Sequence, residues 1–386
     1  MDKSLGLYVH IPYCLKKCRY CDFVSYPAGD KLPLSPDEYA YRVCDEIGSA
    51  PEEIKKGYEV DSIFFGGGTP SCMGTDMIGR ILLAIKDNYS ISQVAEISIE
   101  ANPETVTEKK AKNLKYLGFN RVSMGVQSLN DGILKNLGRV HDSEKALEAY
   151  HILRDAGFGN INLDLMFGVP GQSIEIWEDT LDRTIALGPE HISFYSLQIE
   201  EGTPFYEEYK EGVLEIPTWE ENRKMYELAL RKLKDVGYVH YEVSNAAKPG
   251  FECRHNLKYW TMKPYLGFGT GAHSFLEGKR FYNTDELEYT REYEEEENTL
   301  HERMGDFVFT QLRLIDGIDL KQFKELFGKD FEDVFGELLE DKGLSEYLII
   351  VRDFSGRLAK VALSRKGLDN TNIVLQRFLM AIDNIT

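Results

Sequence analysis

Along the first two hundred residues, short apolar runs alternate with longer stretches in which apolar residues recur every three or four positions. The runs 7–11, 61–65, 95–100, 121–126, 160–167 and 191–198 are β-branched or aromatic and mostly bounded by Gly, Pro or Asn, which predicts strands. Between them, 142–157 sets Ala146, Ala149, Tyr150, Leu153 and Ala156 on one helical face and stops at Gly157. Ser143 and Glu144 suit its first turn. The stretches 75–89, 107–117 and 173–187 behave alike, the last two followed by Gly118 and Gly188.

Six β–α units in series imply parallel strands joined by right-handed crossovers, in an open sheet or a barrel. Polar and Gly-rich residues follow strand after strand: CLKKCRYC, GGGTP, EANPE, GVQS, FGVPGQ and LQIEEGTP. Chemistry drawn from the C-terminal ends of many strands is how a barrel builds a site, so an α/β fold with a partial, TIM-like (β/α)6 barrel is expected. After residue 200 the rhythm breaks. The stretch 218–236 reads as a charged amphipathic helix, and 238–285, rich in Tyr, Phe, Gly and His, as irregular. From about residue 302 the pattern turns helical (GDFVFTQLRLIDG, DLKQFKELFG), then strand-like (LIIV), then helical again. The expected organisation is a barrel over 1–236, an irregular segment over 237–300 and a small winged-helix-like α/β module over 301–386.

Composition narrows the class. The 386 residues are 42% hydrophobic and 28% charged, ordinary for a soluble globular protein. No apolar run approaches the roughly 18–20 residues of a membrane span. The opening MDKSLGLYVHIPYC has no secretion-signal pattern, so the cytoplasm is the expected compartment and no membrane anchor is expected. Asp and Glu number 64 against 45 Lys and Arg, a net charge of −19. Such a surface repels nucleic acid unless a basic patch is segregated, and no Lys/Arg block is present. The acidic run 292–297, broken only by Tyr293, reads as a solvated surface segment, with a dock for a basic partner as the other reading.

Six cysteines stand at 14, 18, 21, 44, 72 and 253, too sparse in so long a chain for a disulfide scaffold. Cys44 and Cys72 read as packing residues. Cys253 reads the same way, with a ligand or redox role left open by His255 two positions on. Cys14, Cys18 and Cys21 form a C-x3-C-x2-C loop directly after the first strand. Three thiolates on so short a loop can converge on one metal centre. Zinc with His10 as fourth ligand is one reading. The other is an iron–sulfur cluster, in which three cysteines leave one iron open to a small molecule.

This loop resembles that of the radical S-adenosylmethionine (SAM) superfamily. In that superfamily the open iron of a 4Fe–4S cluster chelates the amino and carboxylate groups of SAM, and one electron cleaves SAM to methionine and a 5′-deoxyadenosyl radical. YVHIPYC, CRYCDF, FFGGGTPS, SIEANPE, RVSMGVQSLND, LGRVHD, INLDLMFGVPGQ and LRLIDGIDL resemble more narrowly the branch that holds oxygen-independent coproporphyrinogen III oxidase and the HemW-type haem chaperones. The resemblance implies SAM contacts for Tyr8, Tyr20, Gly67, Gly68, Thr69 and Glu100, with Glu100 on a ribose. Gln127, Arg139 and Asp164 match positions that help bind a second SAM in this branch. A buried Arg139–Asp164 ion pair is the structural alternative.

His255-Asn256-Leu257-Lys258-Tyr259-Trp260 is an HNxxYW segment. Imidazole is a common haem-iron ligand, and Tyr and Trp offer flat surfaces to a porphyrin. HemW-type proteins carry this segment and are associated with haem binding and delivery, so His255, Asn256, Tyr259 and Trp260 become the candidate haem residues. The oxidase's further cysteine is missing, since Cys21 is followed by Asp22 and Phe23, and the first cluster cysteine already stands at residue 14. The resemblance therefore implies a haem chaperone with a cluster and SAM. Its partners would be haem and acceptor haemoproteins, membrane respiratory enzymes among the candidates. The alternative is a radical SAM enzyme acting on a tetrapyrrole, such as the oxidase.

Overall fold

The structure is a computed structural model that describes residues 4–28, 32–293 and 299–383. Two compact units are present. One comprises Met1–Val239, Ala246–His255 and Pro264–Tyr293; the other comprises His240–Asn245, Asn256–Lys263 and Glu294–Thr386. Residues 237–300 are thus shared between the two units. Of the acidic run, the part from residue 294 lies outside the described residues.

In the first unit six parallel strands are β1 (Ser4–Ile11), β2 (Glu59–Gly67), β3 (Ser90–Ala101), β4 (Arg121–Gln127), β5 (Ile161–Phe167) and β6 (His191–Ser196). They neighbour one another in chain order. Helices fill the crossovers, among them Thr75–Asn88, Glu108–Leu117, Ser143–Asp155 and Ile174–Leu187. Start and stop signals are visible in several of these connections. Asp142 accepts the Lys145 N–H to cap the third of these helices, and left-handed Gly118 and Gly188 end the second and fourth.

The period-two alternation of the strands sorts chemistry from packing. On β1, Leu5, Leu7, Val9 and Ile11 are fully buried in the main hydrophobic core, each worth about 1.5–3 kcal/mol of burial. The alternate residues Tyr8 and His10 share the other face, joined by a bond between the Tyr8 hydroxyl and His10 Nδ1 at 3.2 Å. On β3, Ile97 and Ile99 belong to the core, while Glu96, Ser98 and Glu100 alternate with them. On β5 the same alternation sets Asn162 and Asp164 against Leu163 and Leu165. The second face of the sheet is thus polar, with His10, Glu96, Ser98 and Asn162 buried and Tyr8, Glu100 and Asp164 half-buried. Such groups must find partners within the protein; Ser98 Oγ finds none among the described residues, and the partners of the site residues are described below.

The stretch 238–285 is more regular than its composition suggests. Tyr265–Phe268 pairs with β1 in parallel, and the antiparallel strands His273–Leu276, Lys279–Asn283 and Arg291–Tyr293 follow in the same sheet. Glycine hid these strands. A Cβ on Gly267 would stand 2.3 Å from the His273 carbonyl oxygen, so the close reversal needs a residue that carries little strand signal.

In the second unit the helices Leu300–Gln311, Leu320–Phe327 and Phe331–Leu339 precede a hairpin of Leu348–Arg352 with Leu358–Leu363, and Thr371–Asp383 closes the chain. Phenylalanines dominate its core: Phe331 and Phe335 ring centroids lie 4.6 Å apart, Phe335 and Phe378 5.2 Å. Among the described residues no helix is long and apolar enough to cross a membrane.

Candidate cofactor site

The cysteine loop leaves the end of β1 and is held at both ends. The Ala28 N–H donates to the Cys14 carbonyl oxygen at 2.8 Å, and the Arg19 N–H to the Leu137 carbonyl oxygen at 3.1 Å. Arg19 Nη1 donates to both Asn136 oxygens at 3.0 Å, its Nη2 pairs with Glu208, and its guanidinium stacks 4.7 Å from the Phe205 ring centroid. Cys14, Cys18 and Cys21 are free thiols, all half-buried. Burial raises the Cys14 and Cys21 thiols, Cys21 to about 11, and the neighbouring loop cysteines raise them further. Both lie close enough to Cys18 to feel its charge, as ligands of one cationic group must.

Among the described residues no three His, Cys, Asp or Glu side chains form a shell for a single metal ion. His10, the fourth ligand of the zinc reading, is committed elsewhere: Nδ1 to Tyr8, Nε2 to the Val24 carbonyl oxygen at 2.9 Å. A cluster asks for less, since each cysteine binds its own iron.

The glycine turn after β2 is shaped by contact. Gly67 adopts φ +115°, and a Cβ there would stand 2.7 Å from the His10 ring. A Cβ on Gly68 would stand 3.0 Å from Cys14 Sγ. The bare backbone can therefore approach whatever the cysteines hold. The Gly67 N–H donates to Glu100 Oε2 at 3.1 Å. Burial, then the charge of Asp164, pushes the Glu100 carboxyl up to about 8, against the pull of the Gly67 N–H and of Arg121. Burial and Glu100 likewise push the Tyr8 phenol up, so its hydroxyl keeps its proton.

Two cysteine sulfurs carry side-chain partners. Cys14 Sγ lies 3.4 Å from Thr69 Oγ1, and Arg139 Nη1 donates to Cys18 Sγ at 3.4 Å. Asn102 joins the two partners, donating from Nδ2 to Thr69 Oγ1 at 2.9 Å and accepting from Arg139 Nη2 at 2.6 Å. Arg139 and Asp164 are not an ion pair. Arg139 serves Cys18, Asn102 and the Gly125 carbonyl oxygen, while Asp164 accepts from Asn162 Nδ2 at 2.7 Å and Ser123 Oγ at 3.2 Å. Gln127, at the end of β4, is a non-glycine residue at φ +63°, a strained conformation that favours a functional position. Tyr20 is hydrogen-bonded to Arg139 and packs on a small cluster with Leu137, Met166 and Phe205.

His255 meets this set through Tyr8. It is fully buried, its ring stacked on Phe64 (centroids 5.3 Å) and Tyr8 (6.2 Å), with Nδ1 3.0 Å from Ser62 Oγ. Glu96 accepts the backbone N–H groups of Arg254 and His255 at 3.3 and 3.4 Å, capping the helix Arg254–Trp260 with negative charge. Cys253 Sγ meets the same carboxylate at 3.7 Å, and Cys44 and Cys72 pack against the main core. Asn256, Tyr259 and Trp260 fall in the second unit, where the Arg313 guanidinium lies 4.5 Å from the Trp260 ring.

The sequence-derived residues Tyr8, Cys14, Cys18, Gly67, Gly68, Thr69, Glu100 and Arg139 are joined by these contacts. Asn102 was missed, though it stands in the EANPE motif one step beyond β3, where a side-chain amide flanked by two motif carboxylates at the end of a site strand is a recognisable signal. Free convergent thiols, sulfur-directed donors and a bare glycine backbone fit a cluster with a chelated amino acid.

The Radical SAM superfamily model matches residues 8–184, and the HemN C-terminal domain model matches residues 298–348. The heme chaperone HemW of Bacillus subtilis (strain 168) is 36% identical over 356 residues, covering 87% of this chain and 91% of that protein. HemW of Escherichia coli (strain K12) is 33% identical over 360 residues, covering 91% and 93%. HemW of Lactococcus lactis subsp. lactis (strain IL1403) is 32% identical, covering 98% of both. The solved coproporphyrinogen III oxidase HemN of Escherichia coli shares the fold, with a TM-score of 0.80 at 23% identity over 99% of this chain and 91% of that one. A polar-faced parallel sheet, a three-thiol loop at its carboxyl edge and relatives this similar along more than nine-tenths of their length lead to one conclusion: the chain belongs to the radical SAM superfamily and, within it, to the family of the heme chaperone HemW.

Proposed function

We propose that this chain is a haem chaperone that holds a 4Fe–4S cluster on Cys14, Cys18 and Cys21, takes SAM at the open iron, and binds haem for delivery to acceptor haemoproteins. Family membership implies the cluster and SAM. The observation that carries the residue assignment is the convergence of three free thiols with the Gly67–Gly68 backbone and the Thr69 and Arg139 donors. The cluster, when bound, supplies one low-potential electron and a coordination position. The chain's residues do the rest. Gly67, Gly68 and Thr69 admit the methionyl end of SAM. Glu100 accepts from ribose hydroxyls, and a carboxyl already poised at about 8 gains from two such donors once ionised. Tyr8, Tyr20, Gln127, Arg139 and Asp164 complete the SAM-facing set.

Haem is assigned to the HNxxYW segment, with His255 as the iron ligand and Asn256, Tyr259 and Trp260 as the further candidate residues. His255 packs against both Phe64 and Tyr8 in a cluster of three mutually contacting rings, so ligation requires the ring to leave that cluster. The cost of withdrawal lowers apparent haem affinity, which suits a carrier that must release its cargo to a better site.

Anaerobic reconstitution followed by two assays tests this. Haemin titration is expected to give a Soret shift that His255→Ala weakens. Coproporphyrinogen III offered with SAM and reductant is expected to remain unconverted. Catalytic formation of protoporphyrinogen IX without haem binding would overturn the chaperone reading in favour of the oxidase.

A further inference from the structure

The donors on the cysteine sulfurs are not independent. Thr69 is buried and reaches Cys14, which the Ser25 side chain also reaches; Arg139 reaches Cys18. Between them stands one side chain whose hydrogen bonds go to the two donors and not to sulfur. Arg139 can only donate, so the Asn102 oxygen must face it, and the 2.6 Å bond fixes the amide's orientation. The Asn102 NH2 group then points at Thr69 Oγ1, 2.9 Å away. A hydroxyl has one proton and two lone pairs. With one lone pair taken by Asn102, the Thr69 proton is directed to its remaining close partner, Cys14 Sγ. Cys21 differs, since its sulfur takes a backbone N–H from Phe23.

We infer that Asn102 is a positioning residue that aims the Thr69 and Arg139 donors at the sulfurs of Cys14 and Cys18, and through them raises the reduction potential of the cluster these cysteines hold. The inference rests on the cluster assignment above. Hydrogen bonds to ligand sulfur draw off thiolate charge, which stabilises the more negative, reduced cluster. The arc Cys14–Thr69–Asn102–Arg139–Cys18 ties two of the three ligands to one amide. Its loss should therefore move the potential without removing a ligand. Only one electron is transferred, from a low-potential donor to the cluster, and no bond to Asn102 forms or breaks.

The test is an anaerobic, EPR-monitored redox titration of the reconstituted full chain without SAM, with dithionite as reductant and viologen mediators. Asn102→Leu is expected to load the cluster with the wild-type iron content and visible absorption, and to lower the midpoint by up to about tenfold in the one-electron equilibrium constant, about 59 mV. Thr69→Val should lower it too, Thr69→Ser should restore it, and the double variant Asn102→Leu/Thr69→Val should shift by less than the sum of the two single changes. A loaded Asn102→Leu protein with the wild-type midpoint overturns the inference and leaves the cluster assignment intact. An iron-free wild-type chain overturns both. If Asn102→Leu does not load, the Thr69 pair decides: an unchanged midpoint in Thr69→Val overturns the inference, and a lowered one restored by Thr69→Ser supports it.

Discussion

The His255 imidazole lies nearly parallel to the Phe64 ring, at 24° with centroids 5.3 Å apart. A buried ring held by a stack and by the Ser62 hydroxyl is stable where it is, and this sets the terms for haem. Ser62→Ala removes one hydrogen bond worth about 1 kcal/mol and eases the ring's withdrawal. It should therefore tighten haem binding about fivefold while slightly lowering the unfolding midpoint. His255→Ala should weaken haem binding and, by leaving a cavity, cost about 2–4 kcal/mol of stability. Soret titration and denaturant unfolding read both variants; unchanged haem affinity in each would detach His255 from haem.

Gly67→Ala places a methyl group against the His10 ring on a left-handed backbone. The strain should cost about 1–3 kcal/mol and draw the Gly67 N–H away from Glu100. Equilibrium SAM binding should fall in parallel with stability in denaturant.

Glu100 predicts a pH dependence of the SAM-free chain. Its folded pKa, about 8, lies above the usual carboxylate value of about 4.3. The folded chain thus holds a proton that the unfolded chain has released across that window, so stability is full at low pH and lost as pH rises through about 8. Glu100→Gln should flatten this slope and leave the variant more stable than the wild type at about pH 9. Thermal midpoints across the range check the sign.

Arg19 anchors the middle of the cysteine loop to Asn136, Glu208 and Phe205. Arg19→Ala should loosen the loop by about 1–1.5 kcal/mol and speed cluster bleaching by a chelator about tenfold. Absorbance decay under anaerobic chelation measures it.

Much of this was legible in the sequence because it is local. Strand alternation such as Leu7, Tyr8, Val9 and His10 separates core from site. Gly118 and Gly188 end helices, and the cysteine spacing singles out the loop after β1. What was not legible joins distant segments. Asn102 reaches Thr69 and Arg139 from a different loop. His255 is buried by Ser62, Phe64 and Glu96, more than 150 residues away in the chain. Gln127 carries its strain in a backbone angle that its residue type does not announce.

The central claim is that Cys14, Cys18 and Cys21 hold one cluster with an iron left open to SAM. EPR of the anaerobically reduced protein, recorded with and without SAM, tests it most directly. The account predicts a cluster signal that changes when SAM is added and that vanishes when any one of the three cysteines is replaced by Ala. A chain that binds stoichiometric zinc and no iron, or a cluster signal indifferent to SAM, would contradict it.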